Sequence, residues 1–511
     1  KLKMLTGRKY YWKNMVTEIE LKYFVISDNT QENITQLFTE QQLPFSCVKK
    51  NLSNCYYDTI NMDFRHHDMG LRIRGCDGEL EQTIKTAGVV IAGLHQRPEY
   101  NIDIENNFPE LALFPSEIWQ ANQNVAQLQE ALIPLFSTDF TRITWLITLP
   151  SGSVVEVAFD EGNISSDGRS VSICEVELEL VSGATSDLLF LAKKIFSVVS
   201  VRPSSQSKAA RGYRLWKNTP VNYEKPITDL LPIDRSLSIA KAFSTGINHC
   251  LVHLHDHIEH YITSPSLVEL EKVTETLALM RHGFWLFSDY LPENAVTIRN
   301  ELSHFIHLLS WVDNAVNLQE LTNKTGNYRH KLNYSEQLVE QLRIEKRRLP
   351  TSDDVFELLH GKRFNILQAD LLAMLLTEQP DSSDLLLTFA QRSLTENMSI
   401  LFADNTKAEN LTSEQYLSQA KLLNRSLLTG TWFGLLFDQE ERKQYRAPWL
   451  DIQQGISELQ TLWIIHQQLQ TLDEKPTKLV SWQGSKVEGL LIALDSSRKI
   501  ALMMEPYWLD T

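Results

Sequence analysis

In a β-strand, residues i, i+2 and i+4 share a face. The segment TEIELKYF therefore puts Glu18, Glu20 and Lys22 on one face and Ile19, Leu21 and Tyr23 on the other. LRIR pairs Arg72 with Arg74 opposite Leu71 and Ile73. CEVELEL lines up Glu175, Glu177 and Glu179 against Val176, Leu178 and Leu180. Glu156 and Asp160 flank Ala158 in VEVAFD; Thr83 with Lys85 repeats the pattern, and so, beyond a proline, does Arg97 with Glu99. On any single strand such a face reads as solvated surface. Here acidic strands stay acidic and basic strands stay basic, so a curled sheet would collect them into one lumen, with carboxylates on one wall and Arg and Lys on the other. Carboxylate clusters suit Mg²⁺ or Mn²⁺, hard cations that prefer oxygen ligands. Clustered guanidinium and ammonium groups suit phosphate oxygens. Together they describe a site for a metal-bound polyphosphate.

The elements that must carry these faces change character along the chain. From about 17 to 181 the apolar pattern has period two, and turn signals such as CDGE, LPSGS and SSDGR separate the runs. Two helical stretches interrupt, at 31–43 and 186–200. This predicts an α+β domain built on one antiparallel sheet that curls or closes. After the proline-bearing NTPVNYEKPITDLLP the spacing becomes helical, over about 239–263, 266–290, 292–316, 335–348, 355–377 and 412–427. The reading is an all-α helical bundle. The expected boundaries are an extension or tag at 1–14, a β domain at 15–217, a linker at 218–226 and a helical domain at 227–511.

The 511 residues are 43% hydrophobic and 22% charged, an ordinary globular composition. The net charge of −15 argues against a nucleic-acid or anionic-membrane surface, so neither is expected as a partner. It does not exclude a buried basic pocket. No apolar run reaches the roughly 18 residues of a membrane span. Cys47, Cys55, Cys76, Cys174 and Cys250 form no CxxC pair and read as reduced thiols of a cytoplasmic protein.

EIELK at 18–22 is the ExExK signature of the CYTH superfamily, the triphosphate tunnel metalloenzymes. The resemblance continues in order through YYDT at 56–59, MGLRIRG at 69–75, TIK at 83–85, GLHQRPEYN at 93–101, LFSTDFTR at 135–142, ICEVELELVSG at 173–183 and SKAARGY at 207–213. The whole chain resembles the bacterial two-domain inorganic triphosphatases, in which a CHAD domain follows the CYTH domain. That resemblance implies an eight-stranded antiparallel tunnel with flanking helices that binds triphosphate inside. By motif, Glu18 and Glu20 would hold metal, joined by Glu177 and Glu179, with Glu175 as a less certain third from that strand. Lys22, Arg72, Arg74, Lys85, Arg97, Arg142 and Lys208 would hold phosphate oxygens, joined by Arg211. Glu156 and Asp160 would line the lumen, with Glu156 among the catalytic set beside Glu18, Glu20 and Lys22. Glu99 would anchor an arginine. The implied chemistry is in-line attack of water on a terminal phosphorus, with two Mg²⁺ or Mn²⁺ ions. The superfamily also contains adenylate cyclases and thiamine triphosphatases, and a non-catalytic polyphosphate binder is a further alternative; ExExK alone does not separate them.

CHAD domains are associated with polyphosphate through rows of His, Arg and Lys. Here NHCLVHLHDHIEHY spaces His249, His253 and His257 four apart, and the neighbouring His255, Asp256 and Glu259 suggest an exposed polar helix. Arg281-His282 stands in TLALMRHGFWLF, where a denser basic run is usual. Arg343, Lys346, Arg347 and Arg348 read as a solvated helix end. Residues 226–511 carry net −11, so this half reads as a degenerate bundle with a scaffold, docking or weak anion role.

Overall fold

The computed structural model describes residues 13–76, 78–120, 123–204, 206–219, 230–326, 328–377, 382–403, 409–472 and 474–509. Most of the expected extension at 1–14 and of the expected linker at 218–226 lies outside them. The chain forms two compact units, one of residues 1–223 with 357–374, the other of residues 224–356 with 375–511.

The first unit is built on ten strands: β1 (Lys13–Val25), β2 (Phe45–Asp58), β3 (Gly70–Cys76), β4 (Glu79–Lys85), β5 (Val89–Ile91), β6 (Leu94–Ile104), β7 (Ile133–Thr148), β8 (Val154–Ser166), β9 (Arg169–Ser182) and β10 (Val201–Pro203). Eight of them run antiparallel in the order β1-β9-β8-β7-β2-β3-β4-β6, and β6 pairs back onto β1, which closes the sheet. β5 and β10 attach to the barrel wall at β6 and β1. Closure follows from length: β2, β7, β8 and β9 are long enough to curl together. The hairpin between β8 and β9 turns on Asp167 and Gly168, both with positive φ, as a two-residue turn of that hand requires.

The apolar faces turn outward and are covered. Helix α1 (Thr30–Glu40) buries Ile34, Leu37 and Phe38, and Trp145 of β7, fully buried, donates its indole N–H to Thr35 Oγ1 at 3.1 Å. A four-residue turn, α2 (Asp63–His66), follows β2. Helix α3 (Val125–Ala131) precedes β7, and α4 (Thr185–Ile195) buries five apolar or small residues after β9. Helix α5 (Lys208–Lys217) starts at Ser207, whose hydroxyl accepts from the Ala210 N–H. Residues 357–374 also belong to this unit: Asn365 of the helix Lys362–Leu376 is buried and donates to the Val201 carbonyl at 2.8 Å, and Asp370 pairs with Lys193.

The second unit is helical. Its first two helices, α6 (Ile239–Thr263) and α7 (Leu267–Leu286), begin at Ser238 and Ser266, each accepting from a backbone N–H three residues on. Trp432 is fully buried between them: a Cβ on Gly246 or Gly283 would come within 2.3 or 2.1 Å of its ring. The expected helices at 292–316 and 355–377 are each broken in two, the latter at Gly361. Sequence reading missed three helices, Leu386–Ser399, Gln439–Gln470 and Thr477–Met503. The expectation of an exposed polar face around His255 is corrected. His253, His255 and His257 are all buried, and His257 and His260 share the Glu269 carboxylate. The cluster at 343–348 is a solvated helix end, with Arg347 and Arg348 paired to Glu340 and Glu345. Among the described residues no helix is long and apolar enough to cross a membrane.

Candidate active site

Barrel closure turns the charged faces inward. Strand register arranges them in rows. On the acidic wall Glu20, Glu179 and Glu156 stand side by side on β1, β9 and β8. The next row is Lys22, Glu177 and Ala158. The row after that brings Glu175, Asp160 and Arg142 together on β9, β8 and β7. Across the lumen, Lys85 lies opposite Glu99 on β4 and β6, and Glu18 lies opposite Arg97 on β1 and β6. One cavity is lined by Glu18, Glu20, Glu156, Glu177 and Glu179 together with Arg72, Arg74, Lys85, Arg97 and Arg142.

These groups are not equivalent, because some are already neutralised. Glu177 pairs with Lys22 at 2.7 Å, Arg142 at 2.6 Å and Lys208 at 2.9 Å. Burial pushes its carboxyl up, yet those three cations hold it well below the usual range. Asp160 is fully buried, and Lys208 and Arg142 lower it in the same way. Arg211 donates to Glu175 at 2.6 Å and to the Ser172 carbonyl at 3.2 Å. Glu99 holds Arg72 at 3.3 Å and Lys85 at 3.2 Å, and despite burial lies at about 2.

Two sets remain short of partners. Glu179 makes no ion pair among the described residues; burial, Glu18 and Glu156 push it up to about 8. Glu18 pairs with Lys85, but burial and the charges of Glu20 and Glu99 still raise it to about 7. Buried carboxyls that resist ionisation beside other carboxylates would be relieved by a further cation. On the opposing side Arg74 makes no ion pair among the described residues; its Nε donates to Asn54 Oδ1 at 2.9 Å, and burial, Arg72 and Arg142 push it down to about 10. The Nε atoms of Arg97 and Arg72 are buried without a hydrogen-bond partner among the described residues. Among the described residues Arg74 and Arg97 have no anion, whereas Arg72 has only Glu99. Carboxylate oxygens are the ligands that hard divalent cations take, and guanidinium groups are suited to phosphate oxygens.

The motif-derived phosphate ligands thus divide. Arg74 and Arg97 are open toward the lumen, Arg72 and Lys85 share Glu99, and Lys22, Arg142, Lys208 and Arg211 are engaged by carboxylates. Glu177, grouped by motif with the metal ligands, lies among three cations, while Glu156 lies beside Glu179.

A CYTH domain model matches residues 17–213, and a CHAD domain model matches residues 245–470. The chain carries a CYTH domain followed by a CHAD domain. A Haemophilus influenzae protein named inorganic triphosphatase is 39% identical over 210 residues, which are 39% of this chain and 55% of that relative. The match therefore spans little more than half the relative's length. Among solved structures, a Hippeastrum protein described as a candidate adenylyl cyclase with a dominant triphosphatase activity aligns at 19% identity and TM-score 0.29, covering 40% of this chain and 97% of that one. A CHAD domain from Ricinus communis aligns at 15% identity and TM-score 0.37, covering 55% and 92%.

Sequence reading missed what seats the last helix of the CYTH domain. Asp58 is fully buried and accepts from the N–H groups of Thr59, Phe64 and Arg65 and from the Tyr213 hydroxyl. Gly212 packs so closely that a Cβ would meet the Phe136 ring at 2.1 Å. Both ends of this latch stood in the motifs YYDT and SKAARGY, but nothing in either motif names the other as its partner. His95 was also missed. It lines the cavity opposite Glu20, and burial with Lys22 nearby lowers it to about 4, so its imidazole is neutral.

Proposed function

We propose that this protein hydrolyses inorganic triphosphate to pyrophosphate and phosphate inside the CYTH barrel, with Mg²⁺ or Mn²⁺ as cofactor. One observation carries the reading: a closed lumen in which carboxylates short of a cation face arginines short of an anion. A metal-bound phosphate chain supplies both charges at once. The name of the Haemophilus relative agrees with this substrate.

Glu18, Glu20 and Glu179 would hold the cation. When bound there, the ion neutralises phosphate oxygens and activates water for attack on phosphorus. Arg74 and Arg97 bind the phosphate oxygens and stabilise the charge that develops on the leaving pyrophosphate. Arg72 and Lys85 are held in place by Glu99 and reach the same lumen. Glu156, next to Glu179 and without an ion pair among the described residues, orients the attacking water and accepts its proton.

The aromatic residues of the cavity disfavour a nucleotide or thiamine ring as the recognised group. Tyr56 stacks on Phe136, Tyr213 is bonded to Asp58, and Phe140 lies against Arg142 and Lys208. Phosphate release from triphosphate, ATP and thiamine triphosphate, measured side by side with Mg²⁺ and Mn²⁺, tests the reading. Turnover of ATP or thiamine triphosphate in preference to triphosphate would overturn it.

A further inference from the structure

A second carboxylate group lies further along the same wall. Asp160, Glu175 and Glu177 each bring one oxygen within 4.8 Å of the others, and the first two are fully buried. By donor chemistry alone this is a second divalent-cation position. It is already filled. The Lys208 ammonium lies 2.7 Å from Asp160 Oδ2, 2.9 Å from Glu177 Oε1, and in contact with Glu175 Oε1. The ammonium donates to Glu177 Oε1 and is ion-paired with the other two carboxylates, so one cation sits among all three. Arg142 binds the Asp160 carboxylate and the other oxygen of Glu177, and Arg211 takes the other oxygen of Glu175.

A divalent ion could enter only by displacing that ammonium, and it would then stand beside Arg142, Arg211 and Lys22. The displaced amine would have no carboxylate to receive it, because its helix is anchored. Tyr213 of the same helix is bonded to Asp58, and Gly212 is wedged against Phe136. Leaving a buried charge unpaired is strongly destabilising.

We propose that Lys208 is a tethered cation that takes the place of a second metal ion, so that the lumen holds one divalent ion, at Glu18, Glu20 and Glu179. This rests on the metal reading of that first group. It departs from the two ions that the family resemblance implies, and it makes Lys208 an organiser of the acidic wall rather than a phosphate ligand.

The test is Mn²⁺ titration of the full chain, followed by calorimetry and by the resonance of free Mn²⁺, with no substrate present. The wild type is expected to bind one Mn²⁺ that Glu18→Gln removes. Lys208→Met, which deletes the charge at similar size, is expected to bind two. Glu175→Gln in the wild-type background is expected to leave the count at one. A wild type that binds two ions, one of them lost in Glu175→Gln, overturns the proposal, and so does a Lys208→Met protein with the wild-type count. If Lys208→Met does not fold, the wild-type and Glu175→Gln counts decide alone. Failure of the underlying metal reading looks different: Glu18→Gln would then leave the wild-type count unchanged.

Discussion

The Tyr213 phenol donates to the buried Asp58 carboxylate at 2.7 Å, joining residues 155 positions apart in the chain. This bond ties the helix that carries Lys208 and Arg211 to the end of β2. Tyr213→Phe leaves Asp58 with its three backbone donors and removes only the hydroxyl. It should destabilise the barrel by about 1–2 kcal/mol in urea unfolding. Asp58→Ala strips four donors of their acceptor and should cost more. A Tyr213→Phe protein as stable as wild type would mean that packing on Phe136 alone seats the helix.

How far the sequence carries depends on which contacts are local. Alternation in EIELK, LRIR and CEVELEL gives the charged faces directly, because period two is a property of one strand. Which carboxylates are neutralised is not local. Glu177 and Glu179 are indistinguishable in CEVELEL, yet one meets three cations and the other none, because barrel register and the helix at Lys208 decide it. The helix Gln439–Gln470 was hidden by Pro448 in its interior, where a proline ordinarily ends a helix. His255 looked exposed beside Asp256 and Glu259, but it is buried in the folded helical unit.

The division between engaged and open arginines has a kinetic consequence. Arg97 has no ion pair among the described residues, whereas Arg211 is held by Glu175 and the Ser172 carbonyl. Arg97→Ala should weaken triphosphate binding by roughly tenfold to a hundredfold with little change in melting temperature. Arg211→Ala should do the reverse, lowering stability by about 3 kcal/mol by leaving Glu175 underpaired. Calorimetric affinity and thermal unfolding of the two variants, compared directly, check this. Equal effects on both would dissolve the distinction.

Acid should act first on buried histidines of the helical unit. His282 is buried against Thr429, and burial with Arg425 and Arg281 nearby lowers it to about 3. His253 is lowered to about 4 by burial and by His249 and His257. The unfolded chain binds these protons near 6.5, so between that value and the folded ones it holds more protons than the native state. Stability is therefore full above about pH 6.5 and falls as pH drops toward 4, by up to about 1.4 kcal/mol per unit for each histidine. His282→Gln should flatten the dependence of the urea midpoint between pH 7 and 5. An unchanged slope would remove His282 as a source.

A fragment of residues 15–220 separates catalysis from stability. Every proposed ligand of metal and phosphate lies within it, so each folded molecule should turn over triphosphate at close to the full-chain rate. It lacks residues 357–374, however, which belong to the barrel unit. Without Asn365 the Val201 carbonyl loses its side-chain donor, and without Asp370 the Lys193 amine loses its ion pair. Phe364, Leu367 and Leu371, buried in the full chain, are removed with that segment. Losing even two such apolar side chains from a packed surface costs about 3–5 kcal/mol. The fragment should therefore melt well below the barrel transition of the full chain and bind a hydrophobic dye. Active-site titration with rate measurement below its melting point separates the two effects. A stable, folded fragment that fails to turn over triphosphate would mean that the active site needs residues beyond 220.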